Sequence, residues 1–264
     1  IAAQLKIMQF YKYQGTGNDF VVVDDRAKTF NLNQEAIALL CHRRFGIGAD
    51  GFMLLQEAEG YDFRMVYYNS DGTEGTMCGN GGRCLVRFAS DLGIVTEKAH
   101  FIAVDGPHLA YINPETISLQ MMDVKGIEQH NDDYFTNTGS PHFVRFTKQV
   151  QFYDVKNIGA SMRYSEAYQP INGTNANFVE KLDDQTLFVR TYERGVEDET
   201  YSCGTGVTAA ALVAKTFQNV QTPVKIKTLG GELAVDFDGD AISGFTNIFL
   251  IGPAKHVFTG TISV

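Results

Sequence analysis

Two short segments carry the residues best suited to chemistry: Cys78-Gly79-Asn80-Gly81 and Cys203-Gly204-Thr205-Gly206, 125 positions apart. Each is followed by a stretch with helical periodicity. A cysteine just ahead of a helix sits beside unpaired N–H groups and the positive end of the helix dipole. That setting favours a thiolate and binds a carboxylate. Two such thiols facing one cleft suit the removal of a proton from one face of a carbon acid and the return of a proton to the other. The remaining cysteines, Cys41 and Cys84, fall on the apolar stripes of their helices and have no cysteine counterpart in the other half. Free cysteine is usually a small buried hydrophobe, and both are read that way.

The elements that must position these thiols are themselves repeated. Phe63, Tyr67, Glu74, Gly106 and Ile117-Ser118 recur at the same separation as Phe188, Tyr192, Glu199, Gly231 and Ile242-Ser243. Upstream the spacing drifts slightly, with Phe52 matched to Phe178 and Phe20-Val21 to Phe143-Val144. The period is too long for a solenoid and fits two domains of ordinary size. Residues 9–24 read as two strands around a turn at 15–18. Residues 33–45 read as a helix that Asn33 caps, with Ile37, Leu40, Cys41 and Phe45 on one face and Gly46 at its end. Residues 52–55 and 63–68 read as strands, and the helix after Asn80 carries Cys84, Leu85, Phe88 and Leu92 on one face. Strands follow over 100–122. In the second half a strand at 143–146, a helix at 158–168, a strand at 187–192 and the helix after Thr205 repeat the pattern. A hairpin over 224–237 closes it. The expected fold is α+β: two pseudo-symmetric halves from a tandem duplication, 8–122 and 123–264, each a mostly antiparallel sheet wrapped on a central helix.

Composition narrows the function classes. The chain has 264 residues, enough for two real cores, and a net charge of −9, which argues against nucleic acid or an anionic membrane as partner. No apolar run approaches membrane-spanning length and no signal peptide is read. Four cysteines are sparse for this length and fit a reducing cytoplasm. Residues 1–7 precede Met8, which reads as the native start, and are set aside from fold reasoning.

Several motifs reduce to bland readings. Gly46-Ile47-Gly48-Ala49-Asp50-Gly51 spells a dinucleotide fingerprint, but it follows a helix rather than a strand and is assigned to a turn. The four cysteines contain no CxxC pair, so no metal site is expected. Asn172-Gly173-Thr174 matches a glycosylation acceptor by coincidence. His42, His100, His108, His130 and His256 have no partner signal. His142 differs, because its turn, Gly139-Ser140-Pro141-His142, duplicates the Gly17-Asn18-Asp19 turn. Glu193-Arg194-Gly195 ends a strand beside the Cys203 loop and joins the candidates.

The strings GTGNDF at 15–20, RRFGIGADG at 43–51, YNSDGTE at 68–74, MCGNGGRC at 77–84, GSPHFV at 139–144, NANF at 175–178 and YERG with SCGTG at 192–206 together resemble the diaminopimelate epimerases, which belong to the pyridoxal-phosphate-independent amino-acid racemases. The resemblance covers nearly the whole chain from Met8. It implies an active site in the cleft between two halves, with 253–264 packing back on the first. It implies interconversion of LL- and meso-diaminopimelate, in lysine and cell-wall precursor biosynthesis, with no cofactor and no metal. Cys78 and Cys203 would be the two bases. The substrate α-carboxylate would lie on N–H groups near Gly79-Asn80 and Gly204-Thr205, where charge builds as the proton leaves. His142 and Glu193 match residues that neighbour the thiols, setting their ionisation or holding the substrate ammonium. Asn18, Asn69, Asn175 and Arg194 match positions that grip the substrate, and Arg194 suits a bidentate contact to the distal carboxylate. Relatives are often homodimers. Three departures bear on distal recognition: Gln14 for a frequent His, Gly51 for a Gln in some members, and Ser140 for the usual Asn. The loop ERGVEDETYSCG also runs one residue longer than the commonest spacing.

Rival readings remain distinct. A proline or hydroxyproline racemase shares the chemistry, although Arg194 and the asparagines favour a larger, doubly zwitterionic substrate. A phenazine-pathway isomerase shares the fold without the cysteine pair. A thiol redox sensor or metal-binding module also suits thiols at helix starts.

Overall fold

A computed structural model describes residues 7–264, and residues 1–6 of the leading segment lie outside the described residues. Ile7 is already part of the fold, as it opens the first strand opposite Ser263. The chain divides into two compact units, one running to Leu119 and including Pro253–Val264, the other covering Gln120–Gly252.

The first unit holds β1 (Ile7–Gly15), β2 (Asn18–Asp24), α1 (Gln34–Cys41), β3 (Gly51–Gln56), β4 (Phe63–Asn69), α2 (Gly79–Asp91), β5 (Lys98–Ala103), β6 (Gly106–Ile112) and β7 (Ile117–Gln120). The second holds β8 (Glu128–His130), β9 (Asp133–Asn137), β10 (Pro141–Phe146), α3 (Val155–Arg163), β11 (Asn175–Lys181), β12 (Thr186–Glu193), β13 (Asp198–Thr200), α4 (Gly204–Gln218), β14 (Val224–Thr228), β15 (Gly231–Asp240) and β16 (Gly244–Gly252). The last strand, β17 (Lys255–Ser263), pairs antiparallel with β1 in the first unit.

Each unit builds its sheet by the same rule. From β17 through β1 to β7, neighbours are antiparallel except β2–β3 and β4–β5. From β8 through β12, then β14 to β16, neighbours are antiparallel except β10–β11 and β12–β14. The duplication is thus expressed strand by strand, with β17 standing to β1 as β8 stands to β9. That correspondence accounts for the clustering of 253–264, which the sequence reading numbers with the second half, in the first unit. Register also refines one sequence match. Phe52 lies between Val21 and Tyr68, and Ala176 between Phe143 and Tyr192, so the counterpart of Phe52 is Ala176 rather than Phe178.

Each sheet wraps a buried helix. α2 packs on β1, β2, β3 and β6, and α4 on β9 to β12, β15 and β16. Three of the first four residues of α2 are glycines, poor helix formers in isolation. Tertiary packing overrides that cost. A Cβ at Gly82 would stand 3.0 Å from Leu119 and 3.1 Å from Met77, so glycine lets the helix press onto its sheet. α4 achieves the same approach with Ala209, Ala210, Ala211 and Ala214, all buried. α1 and α3 cover the other faces, Ile37 and Leu40 packing with Phe52 and Leu54, and Val155 with Phe143 and Phe178.

Two helices are shorter than their periodicity predicts. Asn33 caps α1 as expected, accepting from the Ala36 N–H, but the helix stops at Cys41 and Phe45 is 78% exposed. The chain folds back there, with Leu40 O accepting from both Ile47 and Gly48. A Cβ at Gly46 would lie 1.9 Å from Leu39 O, so this close return requires glycine. α3 covers 155–163 and stops short of the expected 168, with a separate 3-10 turn following at Gln169–Ile171.

Candidate active site

Cys78 is the N-cap of α2 and Cys203 the N-cap of α4. Both have extended backbones, both carbonyls accept the first helical N–H bond, and neither side chain caps its helix. No acidic residue stands in either first turn. Neither helix start therefore has a carboxylate of its own first turn to offset the positive end of its dipole. Cys78 is half-buried and Cys203 buried.

Around Cys78 the turn between β1 and β2 supplies Asn18. Its Oδ1 lies 3.7 Å from Cys78 Sγ and 3.3 Å from Asn80 Nδ2, and its own Nδ2 donates to Asp50 at 2.8 Å. Behind it lies a charged cluster. Asp19 meets Lys12 at 2.6 Å and Arg43 at 2.7 Å, and Arg43 also reaches Asp50 at 2.6 Å. Burial pushes the Asp19 carboxyl up, but hydrogen bonds from Arg43 and Lys12 outweigh it and hold the group at about 2. Arg83, one turn into α2, is wholly buried and bonds Gly79 O and Asn80 Oδ1.

Around Cys203, Thr205 Oγ1 lies 3.5 Å from Sγ and Thr138 holds the Thr205 carbonyl at 2.9 Å. His142, on β10, is fully buried. Asn177 Nδ2 meets His142 Nδ1 at 3.1 Å and also donates to Phe143 O at 2.8 Å, while its Oδ1 accepts from Thr191. Those two anchors fix the amide, so Nδ1 must accept and the imidazole carries its proton on Nε2. Among the described residues that Nε2 has no hydrogen-bond partner. A Cβ at Gly206 would stand 2.4 Å from Asn177 Oδ1 and 3.3 Å from Cys203 Cβ, which puts this relay against the first turn of α4. Burial, then the charge of Arg194, bring His142 down to about 3. It is a fixed neutral donor rather than a group that titrates near neutrality.

This has a consequence for stability. Between about 6.5 and 3 the unfolded chain binds a proton at this histidine and the folded chain does not. Stability from His142 is complete above that window and falls as pH drops through it, by about 1.4 kcal/mol per pH unit. Urea unfolding of wild type and His142→Gln should therefore show a stability difference that shifts against wild type from pH 6.5 to pH 4.

The other expected residues fall into place unevenly. Arg194 rests on Ile171 O and Gly173 O and makes no ion pair among the described residues, so its charge is open to a carboxylate. Its N–H donates to Asn175 Oδ1, and Asn175 Nδ2 donates to Ser140 Oγ and Pro141 O, all at 2.8 Å. Asn175 thus clamps three loop positions, and Ser140 makes a direct contact to it. Glu193 accepts from Thr200 at 3.1 Å. Asn69 is exposed at the end of β4, bonded to Thr73. Gln14 accepts from the Gly17 N–H within its own turn. Gly51 has no room for a side chain, since its Cβ would stand 2.6 Å from the Tyr67 ring. Sequence reasoning missed Asp50, Arg83, Asn177 and Thr191 as site residues. The first three lie inside strings already singled out, and Asn177 shares a strand face with Asn175.

The remaining cysteines are buried. Burial raises the Cys41 thiol to about 11 and the Cys84 thiol to about 12. Cys41→Ala and Cys84→Ala should leave turnover near wild type and cost about 1–2 kcal/mol in urea unfolding. Among the described residues no group of three or more His, Cys, Asp or Glu could hold a metal ion, and no helix is long and apolar enough to cross a membrane.

Comparison with known proteins agrees with this fold. The phenazine biosynthesis protein of the PhzF family from Bacillus anthracis superposes with a TM-score of 0.75 at 16% identity, covering 98% of this chain and 100% of that one. A hydroxyproline epimerase from Agrobacterium vitis gives 0.65 at 14%, covering 98% and 93%. At such identities these share the fold alone. Sequence is more selective. A diaminopimelate epimerase from Flavobacterium psychrophilum is 53% identical over 258 residues, covering 97% of this chain and all of that protein. Another, from Chlorobaculum tepidum, is 41% identical over 260 residues, covering 95% and 99%. The diaminopimelate epimerase family model matches residues 10–121 and 134–257, spanning both N-cap cysteines. With both thiols inside the matched regions and a full-length relative sharing more than half its residues, the chain belongs to the diaminopimelate epimerase family.

Proposed function

We propose that this protein interconverts LL- and meso-diaminopimelate by a two-base mechanism in which Cys78 and Cys203 serve opposite faces of the α-carbon. The observation that carries this is the matched pair of N-cap thiols, each on a glycine-led helix that its own cysteine side chain does not cap. One sulfur, as thiolate, takes the α-proton, and the other, as thiol, delivers a proton to the opposite face. In the reverse direction the roles exchange. The N–H groups at Gly79-Asn80 and Gly204-Thr205 hold the α-carboxylate and stabilise the charge that spreads into it. The distal end carries a second carboxylate, which the Arg194 guanidinium, in no ion pair among the described residues, suits. Asn18, Asn69 and Asn175 complete that grip, with Asn175 acting chiefly by shaping the Arg194 loop. Glu193 holds the substrate ammonium, and His142 supplies a fixed N–H. The reaction uses neither pyridoxal phosphate nor metal, and takes place in the cytoplasm in a homodimer serving lysine and cell-wall precursor synthesis.

The test is turnover of LL-diaminopimelate in D2O after dialysis against a chelator. The expected result is meso product with deuterium at the inverted carbon. Turnover of proline or hydroxyproline with none of diaminopimelate would move the protein to the racemases. Thiol alkylation that diaminopimelate fails to block would favour a redox sensor.

A further inference from the structure

Arg83 poses a problem that the two-thiol reading does not address. Its guanidinium is wholly buried and, among the described residues, makes no ion pair with a carboxylate, although a buried charge is costly unless compensated. Its nearest compensation runs through two amides. Arg83 Nη2 donates to Asn80 Oδ1 at 3.0 Å, Asn80 Nδ2 donates to Asn18 Oδ1 at 3.3 Å, and Asn18 Nδ2 donates to Asp50 Oδ2 at 2.8 Å. A cation at one end and a carboxylate at the other therefore orient both amides in one sense. Turning Asn80 would set its NH2 against the guanidinium, and turning Asn18 would set its carbonyl against the carboxylate. Neither end can reverse, because Arg83 has no acceptor and ionised Asp50 has no donor. The Arg83–Asn80 end of this chain is buried, whereas the Asn18–Asp50 end is exposed to solvent.

Cys78 Sγ stands 3.7 Å from Asn18 Oδ1, at the acceptor end that this orientation exposes. We propose that Asp50 and Arg83 are positioning residues that lock Asn18 and Asn80 in this sense, so that Cys78 faces a fixed acceptor and holds its proton in the substrate-free protein. The inference rests on the two-thiol reading and deepens it: Cys78 is the resting proton donor and Cys203 the resting base. A thiolate at Cys78 would meet a carbonyl oxygen that cannot turn away without breaking the bond to Asp50. Other groups of the same unit act on this sulfur. The α2 N-terminus and Arg83 favour thiolate, whereas Asp50 and Asp19 oppose it. Lys12 and Arg43 are already paired with those carboxylates, and Cys84 is a neutral thiol on the buried side of α2. The Arg83 N–H groups donate to Gly79 O, Thr16 and Asn80.

The experiment is the pH dependence of Cys78 labelling by iodoacetamide in the full-length protein without substrate, read by peptide mass spectrometry. The expected wild-type midpoint lies above the ordinary thiol value of about 8.5. In Asp50→Ala only the 3.3 Å bond from Asn80 still holds the Asn18 amide, so it turns an N–H to the sulfur more readily, and labelling at neutral pH should rise about tenfold, one unit in midpoint. Arg43→Gln loses contacts to Asp19 and Asp50 but keeps the amide chain, so its midpoint should not fall. A wild-type midpoint at or below about 8.5 overturns the proposal whether or not the Asp50 variant folds. So does an unchanged profile in folded Asp50→Ala, or an equal fall in Arg43→Gln, which would mark general loosening. Absence of diaminopimelate turnover by wild type would count against the epimerase reading alone, since labelling is measured without substrate.

Discussion

Cys78→Ala and Cys203→Ala should each lower interconversion of LL- and meso-diaminopimelate by about 10²–10⁴-fold, the range that a positioned acid or base contributes. Inversion needs a proton removed on one face and delivered on the other, so neither thiol can stand in for its partner. The fold should survive both changes. Neither side chain caps its helix, so truncation removes no helix-capping bond, and the backbone N–H groups keep their arrangement. Cys203 is buried and its loss should cost about 1 kcal/mol, while half-buried Cys78 should cost less. Turnover read by chiral chromatography, alongside urea unfolding, checks both halves of the expectation. Interconversion near the wild-type rate by either variant would remove the two-base mechanism.

The second large effect is expected at Asn177, a residue that contacts no thiol in the proposed chemistry. Asn177→Ala should destabilise the protein by about 3 kcal/mol or more and sharply reduce kcat. The amide satisfies three buried groups at once: His142 Nδ1, the Phe143 carbonyl and the Thr191 hydroxyl. Each buried polar group left unpaired costs about 1–3 kcal/mol. Loss of the amide also frees the imidazole to change tautomer. Asn177→Asp separates the two effects. It still accepts from Thr191, but it places an acceptor against His142 Nδ1 and so favours the proton there instead of on Nε2. Nitrogen-15 shifts of the imidazole would report that exchange. If Asn177→Asp keeps full activity with the tautomer moved, the Nε2–H of His142 has no part in the reaction.

Local features of this protein are written in local sequence. A cysteine followed by glycine and then an apolar helical stripe places the thiol at an N-cap, because the cap is decided within one turn. Asn33 caps α1 for the same reason. The duplication, too, is legible, since equal landmarks in equal order must build equal sheets, as the matched strand pairings of the two units show. What sequence could not supply is which polar groups face one another across the sheet. The string RRFGIGADG contains Asp50, but only the fold brings it to Asn18, and only the parallel pairing of β10 with β11 sets Asn177 against His142. The early end of α1 is likewise tertiary: its last carbonyls are taken by the N–H groups of Ile47 and Gly48 as the chain doubles back, a bond the apolar periodicity cannot foresee. Periodicity reports which face of an element is buried, whereas tautomers, amide orientations and the fate of a buried charge depend on partners distant in sequence. Those partners are chosen when the sheet closes on its helix and every buried donor has to find an acceptor.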